Sequence, residues 1–150
     1  MKKLYIQSYY TPARRETIPV KVGTATIGGG APVLVQSMTT TLSSDTEATV
    51  AQVLALWKAG CGLVRITIPT VKDAKNLEFI MKGIREAGCD IPISADIHFQ
   101  PKAAYEAVKW VDKVRINPGN FVDKGIKNLR EFSEEEFQQG RVLAKEALKP

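Results

Sequence analysis

The sequence holds only two cysteines, a single histidine and no long apolar run, and each scarcity narrows what the chain can be. Cys61 and Cys89 are too few for a disulfide framework and too far apart for a zinc motif. A reducing compartment fits, and no metal site is expected within the chain. No stretch approaches the roughly 18 consecutive apolar residues that a membrane span needs. The start, Met1-Lys2-Lys3-Leu4-Tyr5-Ile6-Gln7, is basic but has no apolar stretch behind it, and it lacks the Ser- and Arg-rich character of a transit peptide. The expected setting is the cytoplasm, with no membrane partner. A basic block is missing too. The net charge is +5, yet Lys and Arg are scattered beside Glu and Asp, with no basic stripe interleaved with aromatics. Nucleic acid is therefore not the expected partner; a small anionic ligand is the better use of the surplus.

What is present reads as a folded domain or a piece of one: 150 residues, 44% hydrophobic and 25% charged. Four short, β-branched, nearly continuous runs read as strands covered on both faces. They are Val33-Leu34-Val35-Gln36-Ser37, Leu63-Val64-Arg65-Ile66-Thr67, Ile91-Pro92-Ile93-Ser94-Ala95 and Lys113-Val114-Arg115-Ile116-Asn117. A helical pattern follows each. Ser44 or Asp45 can cap the first, whose Val50, Val53, Leu54 and Trp57 recur at helical spacing until Gly60 ends it. Leu77, Ile80, Met81 and Ile84 mark the second, which Gly88 ends. Pro101 suits the first position of the third, ahead of Ala103, Ala104, Ala107 and Val108. Ser133 with Glu136 reads as a capping box for the fourth, and Phe132 with Phe137 as a hydrophobic staple.

Strictly alternating βα units mean a parallel sheet, doubly wound or closed. The polar residues choose between them. Every run ends in reactive or ionic groups: Gln36 and Ser37, Arg65 and Thr67, Asp96 and His98, Arg115 and Asn117. Functional groups at four successive strand ends are the layout of a TIM-type active face, whereas a doubly wound sheet concentrates its contacts at one switch point. The expected fold is therefore α/β, the first four βα units of a TIM-type (β/α)8 barrel over residues 33–150. Residues 1–32 form an N-terminal segment with a small β-hairpin, over residues 18–27, at the barrel bottom. A complete barrel needs about 250 residues, so this is half of one. Gly28-Gly29-Gly30 precedes a strand rather than a helix, which is the wrong context for a dinucleotide fingerprint. Each cysteine follows a helix-ending glycine and precedes a strand, which places both at the bottom, as packing residues.

The chemistry gathers at the strand ends. Asp96 and His98 are two apart, so in extended chain both face one ligand. Arg65 and Arg115 each sit inside an apolar strand, where an unpaired charge is costly. A diphosphate would satisfy them through bidentate forks, with the turn at Pro118-Gly119 bringing Asn117 and Asn120 towards it. The bland alternative for Arg115 is an internal ion pair, with Asp96 as its partner; both readings can hold in part. Gln36-Ser37-Met38-Thr39-Thr40-Thr41 adds neutral hydrogen-bonding groups, a run that also occurs in ordinary turns.

Four motifs carry a family resemblance: Val35-Gln36-Ser37-Met38-Thr39, Val64-Arg65-Ile66-Thr67, Ala95-Asp96-Ile97-His98-Phe99 and Lys113-Val114-Arg115-Ile116-Asn117-Pro118-Gly119-Asn120-Phe121. In this order and spacing they resemble the 4-hydroxy-3-methylbut-2-enyl diphosphate synthases of the non-mevalonate isoprenoid pathway, from about Arg14 onward. Phe121-Val122-Asp123-Lys124 and Ser133-Glu134-Glu135-Glu136 look more like the longer bacterial and plant form. The resemblance implies an oxidoreductase that opens 2-C-methyl-D-erythritol 2,4-cyclodiphosphate and expels water. It also implies a [4Fe-4S] cluster on a C-terminal domain, whose ligands are not in this chain, electrons from a flavodoxin or ferredoxin, and a homodimer. By position Arg65 and Arg115 would hold the diphosphate, with Asn117, Asn120, Gln36 and Ser37 as further substrate-binding residues. Asp96 and His98 would be the catalytic pair that orients the substrate hydroxyls. Two other readings stay open: a pterin-binding barrel of the dihydropteroate synthase type, and an anion-binding fragment with no activity of its own.

Overall fold

Capping chemistry decides where the helices begin, and the pairing of the strands between them decides the rest. The computed structural model describes residue 10, residues 15–117 and residues 133–147. Among these, β1 (Val20–Val22) and β2 (Ala25–Ile27) form an antiparallel hairpin. The chain then runs through β3 (Gln36–Met38), α1 (Thr46–Lys58), β4 (Leu63–Thr67), α2 (Val71–Glu86), β5 (Ile93–Ile97), α3 (Pro101–Ala107), β6 (Lys113–Ile116) and α4 (Glu134–Ala147).

Asp45 caps α1 by accepting from the Ala48 N–H. Thr70 and Asp73 form a reciprocal capping box on α2, Pro101 opens α3, and Ser133 and Glu136 exchange hydrogen bonds at the start of α4. Gly60 and Gly88 follow α1 and α2 with φ of +94° and +73°, a left-handed conformation that ends a helix cheaply only at glycine. The Phe132 half of the expected staple lies outside the described residues.

Strands β3 to β6 are parallel and neighbour one another in chain order. Helix α1 packs on α2 and α2 on α3. An unreversed strand order with a continuous helical layer is the wall of a barrel; a doubly wound sheet would reverse. The core lies between sheet and helices. Val64, Ile66, Ile93, Ala95 and Ile97 meet Val53, Leu77, Ile80, Ile84, Ala103 and Ala107, all buried. Burying each large aliphatic side chain here stabilises by about 1.5–3 kcal/mol. Strand alternation then sends Arg65, Thr67, Ser94, Asp96, Lys113 and Arg115 to the opposite, inner face.

The hairpin turn marks the lower end of the sheet. Thr24 Oγ1 donates to the Asp90 carbonyl at 3.5 Å, and Gly23 lies against Pro92 and Asp112, residues that lead into β5 and β6.

Two strands begin later than their apolar runs suggest. β5 spans Ile93–Ile97 rather than starting at Ile91, because Pro92 has no N–H to give the ladder, although its carbonyl accepts from Val64. β3 spans Gln36–Met38 rather than starting at Val33, which is 95% exposed. Its partner β4 begins only at Leu63, opposite Gln36, so nothing pairs with Val33 and Leu34. Gln36 therefore opens its strand instead of closing it.

Candidate anion-binding site

One carboxylate organises the inner face. Asp96, near the end of β5, is only 2% exposed. Its Oδ1 accepts from Arg115 Nη1 at 2.9 Å across the β5–β6 pair, where the two residues are in register. From β4, Arg65 brings Nε to 3.4 Å from Oδ2. That Nε is close enough for an ion pair but not aligned for a hydrogen bond, and it is a buried donor without an acceptor among the described residues. His98 places Nε2 3.4 Å from Oδ1, adding a third cationic neighbour whenever its imidazole is protonated. The internal Arg115–Asp96 pair weighed from the sequence is thus present, and Arg65 shares it.

The pairing does not use up the cations. Arg65 and Arg115 keep about a third of their side-chain surface exposed, at 30% and 36%. Each guanidinium has five N–H donors, and Asp96 takes only a fraction of the ten. Arg65 spends another on the Met38 sulfur at 3.2 Å, a weak acceptor that one of phosphate character would displace. Two guanidinium groups on the strands that flank β5, both drawn to its Asp96, are pre-oriented, so little side-chain entropy remains to be lost when an anion arrives.

The other expected residues divide by strand parity. His98 and Asn117 follow the last registered pair, Ile97–Ile116, so both stand at the upper rim. Thr67 is in register with Asp96. Gln36 shares the inner face but stands opposite Leu63, a row below Arg65. Ser37 is opposite Val64, a core residue, and so belongs to the helix side. Asn120 and the Pro118-Gly119 turn lie outside the described residues.

Above β3 the loop to α1 is held rigidly. Gln52 accepts from the Thr40 and Thr41 N–H groups at 2.9 and 3.2 Å. Thr49 donates to the Leu42 carbonyl at 3.1 Å, leaving its oxygen to accept from Thr41 at 2.9 Å. Asn76 of α2 donates to the Ser43 carbonyl at 2.8 Å.

Two residues of interest, Ser94 and Lys113, are not singled out by the sequence, and a third, Thr39, is marked there only as part of a hydrogen-bonding run. Thr39 and Ser94 are buried hydroxyls with no partner among the described residues, and Lys113 shares the inner face with Arg115. The available signal was parity, since Ser94 and Lys113 each sit two residues before a selected residue on the same strand.

Cys61 and Cys89 lie just before β4 and β5, at the lower end of the strands; Cys89 is buried in the core and Cys61 packs against it. No group of three or more His, Cys, Asp and Glu gathers among the described residues. No helix among them is long and apolar enough to cross a membrane.

Consecutive parallel strands in unreversed order, with arginines on the inner face of two of them, are the wall of a TIM-type barrel. The chain belongs to the GcpE TIM-barrel domain family, which matches residues 17–146. It is 47% identical over 150 residues to the 4-hydroxy-3-methylbut-2-en-1-yl diphosphate synthase (flavodoxin) of Akkermansia muciniphila, covering 100% of this chain and 26% of that protein. The flavodoxin-named relative of Leptospira interrogans is 42% identical over 146 residues, covering 97% of this chain and 22% of its own length. The relative of Gloeobacter violaceus, named for ferredoxin, is 45% identical over 140 residues, covering 93% of this chain and 35% of that one. The chain therefore spans no more than about a third of these curated relatives. The family match favours this assignment over a dihydropteroate synthase type of barrel.

Proposed function

We propose that this chain supplies part of the diphosphate-binding barrel of a 4-hydroxy-3-methylbut-2-enyl diphosphate synthase. That enzyme would reductively open 2-C-methyl-D-erythritol 2,4-cyclodiphosphate and release water. The observation that carries the reading is the pair Arg65 and Arg115, meeting at Asp96 with donors to spare, within a family whose named relatives make a diphosphate. Residues 33–150 would form the first four βα units of the barrel, and residues 1–32 its lower segment.

In this reading Arg65 and Arg115 take the diphosphate oxygens through charge-assisted hydrogen bonds. Asn117 adds a neutral donor at the rim, Asn120 is a further substrate-binding residue in this proposal, and Gln36 contributes from the lower row. Ser37, on the helix side, is left with a backbone role. Asp96 keeps both guanidinium groups aimed and, with His98, orients the substrate hydroxyls. These groups bind and orient; they supply no electrons.

Electrons would come from a flavodoxin or ferredoxin, the donors in the relatives' names, through the [4Fe-4S] cluster that the resemblance implies. The residues here do not fit such a cluster. Two cysteines on the far side of the sheet from the arginine ends, one of them sealed in the core, cannot supply its usual coordination. Its ligands would lie outside this chain, on a domain that reaches the site within a homodimer in the bacterial cytoplasm. The test is turnover of the cyclodiphosphate by the full-length protein with reduced flavodoxin or ferredoxin. Loss of turnover in Arg65→Ala and Arg115→Ala supports the assignment; turnover unchanged in both variants removes it.

A further inference from the structure

The inner face carries one more cation than the proposed site uses. Lys113 stands two residues before Arg115 on β6, so alternation puts both on the same face, with Cα positions about 7 Å apart along the strand. It makes no ion pair among the described residues. In register beside it is Ser94, and beside Ser94 is Arg65. Ser94 is 0% exposed, and its hydroxyl has no partner among the described residues. A buried hydroxyl without a partner costs about 1–3 kcal/mol. Such a group is kept where a ligand or a bound water completes it.

The charges point the same way. Three cationic side chains, Arg65, Lys113 and Arg115, share a face with a single carboxylate, Asp96. That leaves an excess of two, where the two arginines alone leave an excess of one. An orthophosphate or a single phosphoryl group needs only the upper pair. A diphosphate carries more charge and spans a greater length, and a lysine one row below Arg115 has the reach to meet its second phosphoryl group.

We infer that Lys113 and Ser94 extend the anion site along the row of Arg65, Lys113 as a third cationic contact to a diphosphate and Ser94 as a neutral donor between the two. This rests on the reading of the face as a diphosphate site, and the experiment separates the two. Titration calorimetry on the full-length protein uses inorganic pyrophosphate and orthophosphate as probes. Lys113→Gln weakens pyrophosphate binding about tenfold, the worth of one charge-assisted hydrogen bond, while hardly changing that of orthophosphate. Lys113→Arg stays within about twofold of the parent, because the charge is kept, and Ser94→Ala loses about threefold.

If Arg115→Gln weakens pyrophosphate binding while Lys113→Gln and Ser94→Ala do not, this extension is wrong and the site of the two arginines stands. If none of the three matters, the diphosphate reading falls with it. A Lys113→Gln protein that fails to fold, or melts much earlier with affinity unchanged, would show Lys113 to be a structural residue and overturn the inference.

Discussion

Two arginine–aspartate pairs lie at opposite ends of the same strands, and they are built on different terms. At the lower end Arg85, in the last turn of α2, donates from Nη1 to the carbonyls of Cys89 and Ile91 at 2.9 and 3.0 Å. Its Nη2 lies 3.5 Å from Asp112, which in turn accepts from the Ile93 N–H at 2.9 Å. One cation meets one anion there, and main-chain groups take the remaining hydrogen bonds. At the upper end Asp96 faces Arg65, Arg115 and His98, and among the described residues neither arginine donates to a main-chain group. Stoichiometry and type of partner separate the two. A balanced pair stitched into the backbone holds the fold together, whereas a surplus of cations around one carboxylate is arranged for something else.

The largest expected effect on stability comes from removing the shared carboxylate. Asp96→Asn leaves two guanidinium groups side by side without their counter-charge. Breaking a buried pair costs about 3–5 kcal/mol, and the one-third exposure of both arginines reduces this to about 2–3 kcal/mol. Chemical denaturation of the full-length protein measures it, and added pyrophosphate should recover part of the loss. No recovery would say that the surplus charge is not meant for an anion.

Next comes Arg115→Ala. It should weaken the cyclodiphosphate by about 2–5 kcal/mol in binding free energy. Stability should fall by no more than about 1 kcal/mol, because Asp96 keeps Arg65 and His98 close by. The reverse pattern, easy unfolding with near-normal affinity, would make the upper pair resemble the lower one. Arg85→Ala is the mirror experiment. Losing two hydrogen bonds to carbonyls at a partly exposed site should cost about 1–2 kcal/mol of stability and leave affinity alone. The smallest expected effect is none. Anaerobic reconstitution of the 150-residue chain should give no visible [4Fe-4S] absorption, and stoichiometric iron and sulfide would show its cysteines doing more than packing.

How much of this is legible in the sequence depends on whether the signal is local. Helix ends are, since Asp45, Ser133 with Glu136, Gly60 and Gly88 act on their own neighbours. Strand order is legible too, because β and α periods alternate. The start of β3 is not. Val33-Leu34-Val35 is a good strand sequence locally, but a ladder needs a partner, and β4 offers none before Leu63. Gln36 and Ser37 look like one site in the sequence but stand on opposite faces, because neighbouring side chains in a strand alternate. Arg65, Asp96 and Arg115 are readable because a charge inside an apolar strand announces a partner. Which partner is a matter of three strands meeting, and Ser94 stays hidden because a serine in a strand announces nothing by itself.

The central claim is that the upper arginines serve an anion and the lower one serves the fold. Titrating the full-length protein with 2-C-methyl-D-erythritol 2,4-cyclodiphosphate, beside its Arg115→Ala and Arg85→Ala variants, tests this most directly. The account predicts that affinity falls by at least about thirtyfold in Arg115→Ala, corresponding to about 2 kcal/mol, and is unchanged in Arg85→Ala. Equal affinities in all three proteins would contradict it.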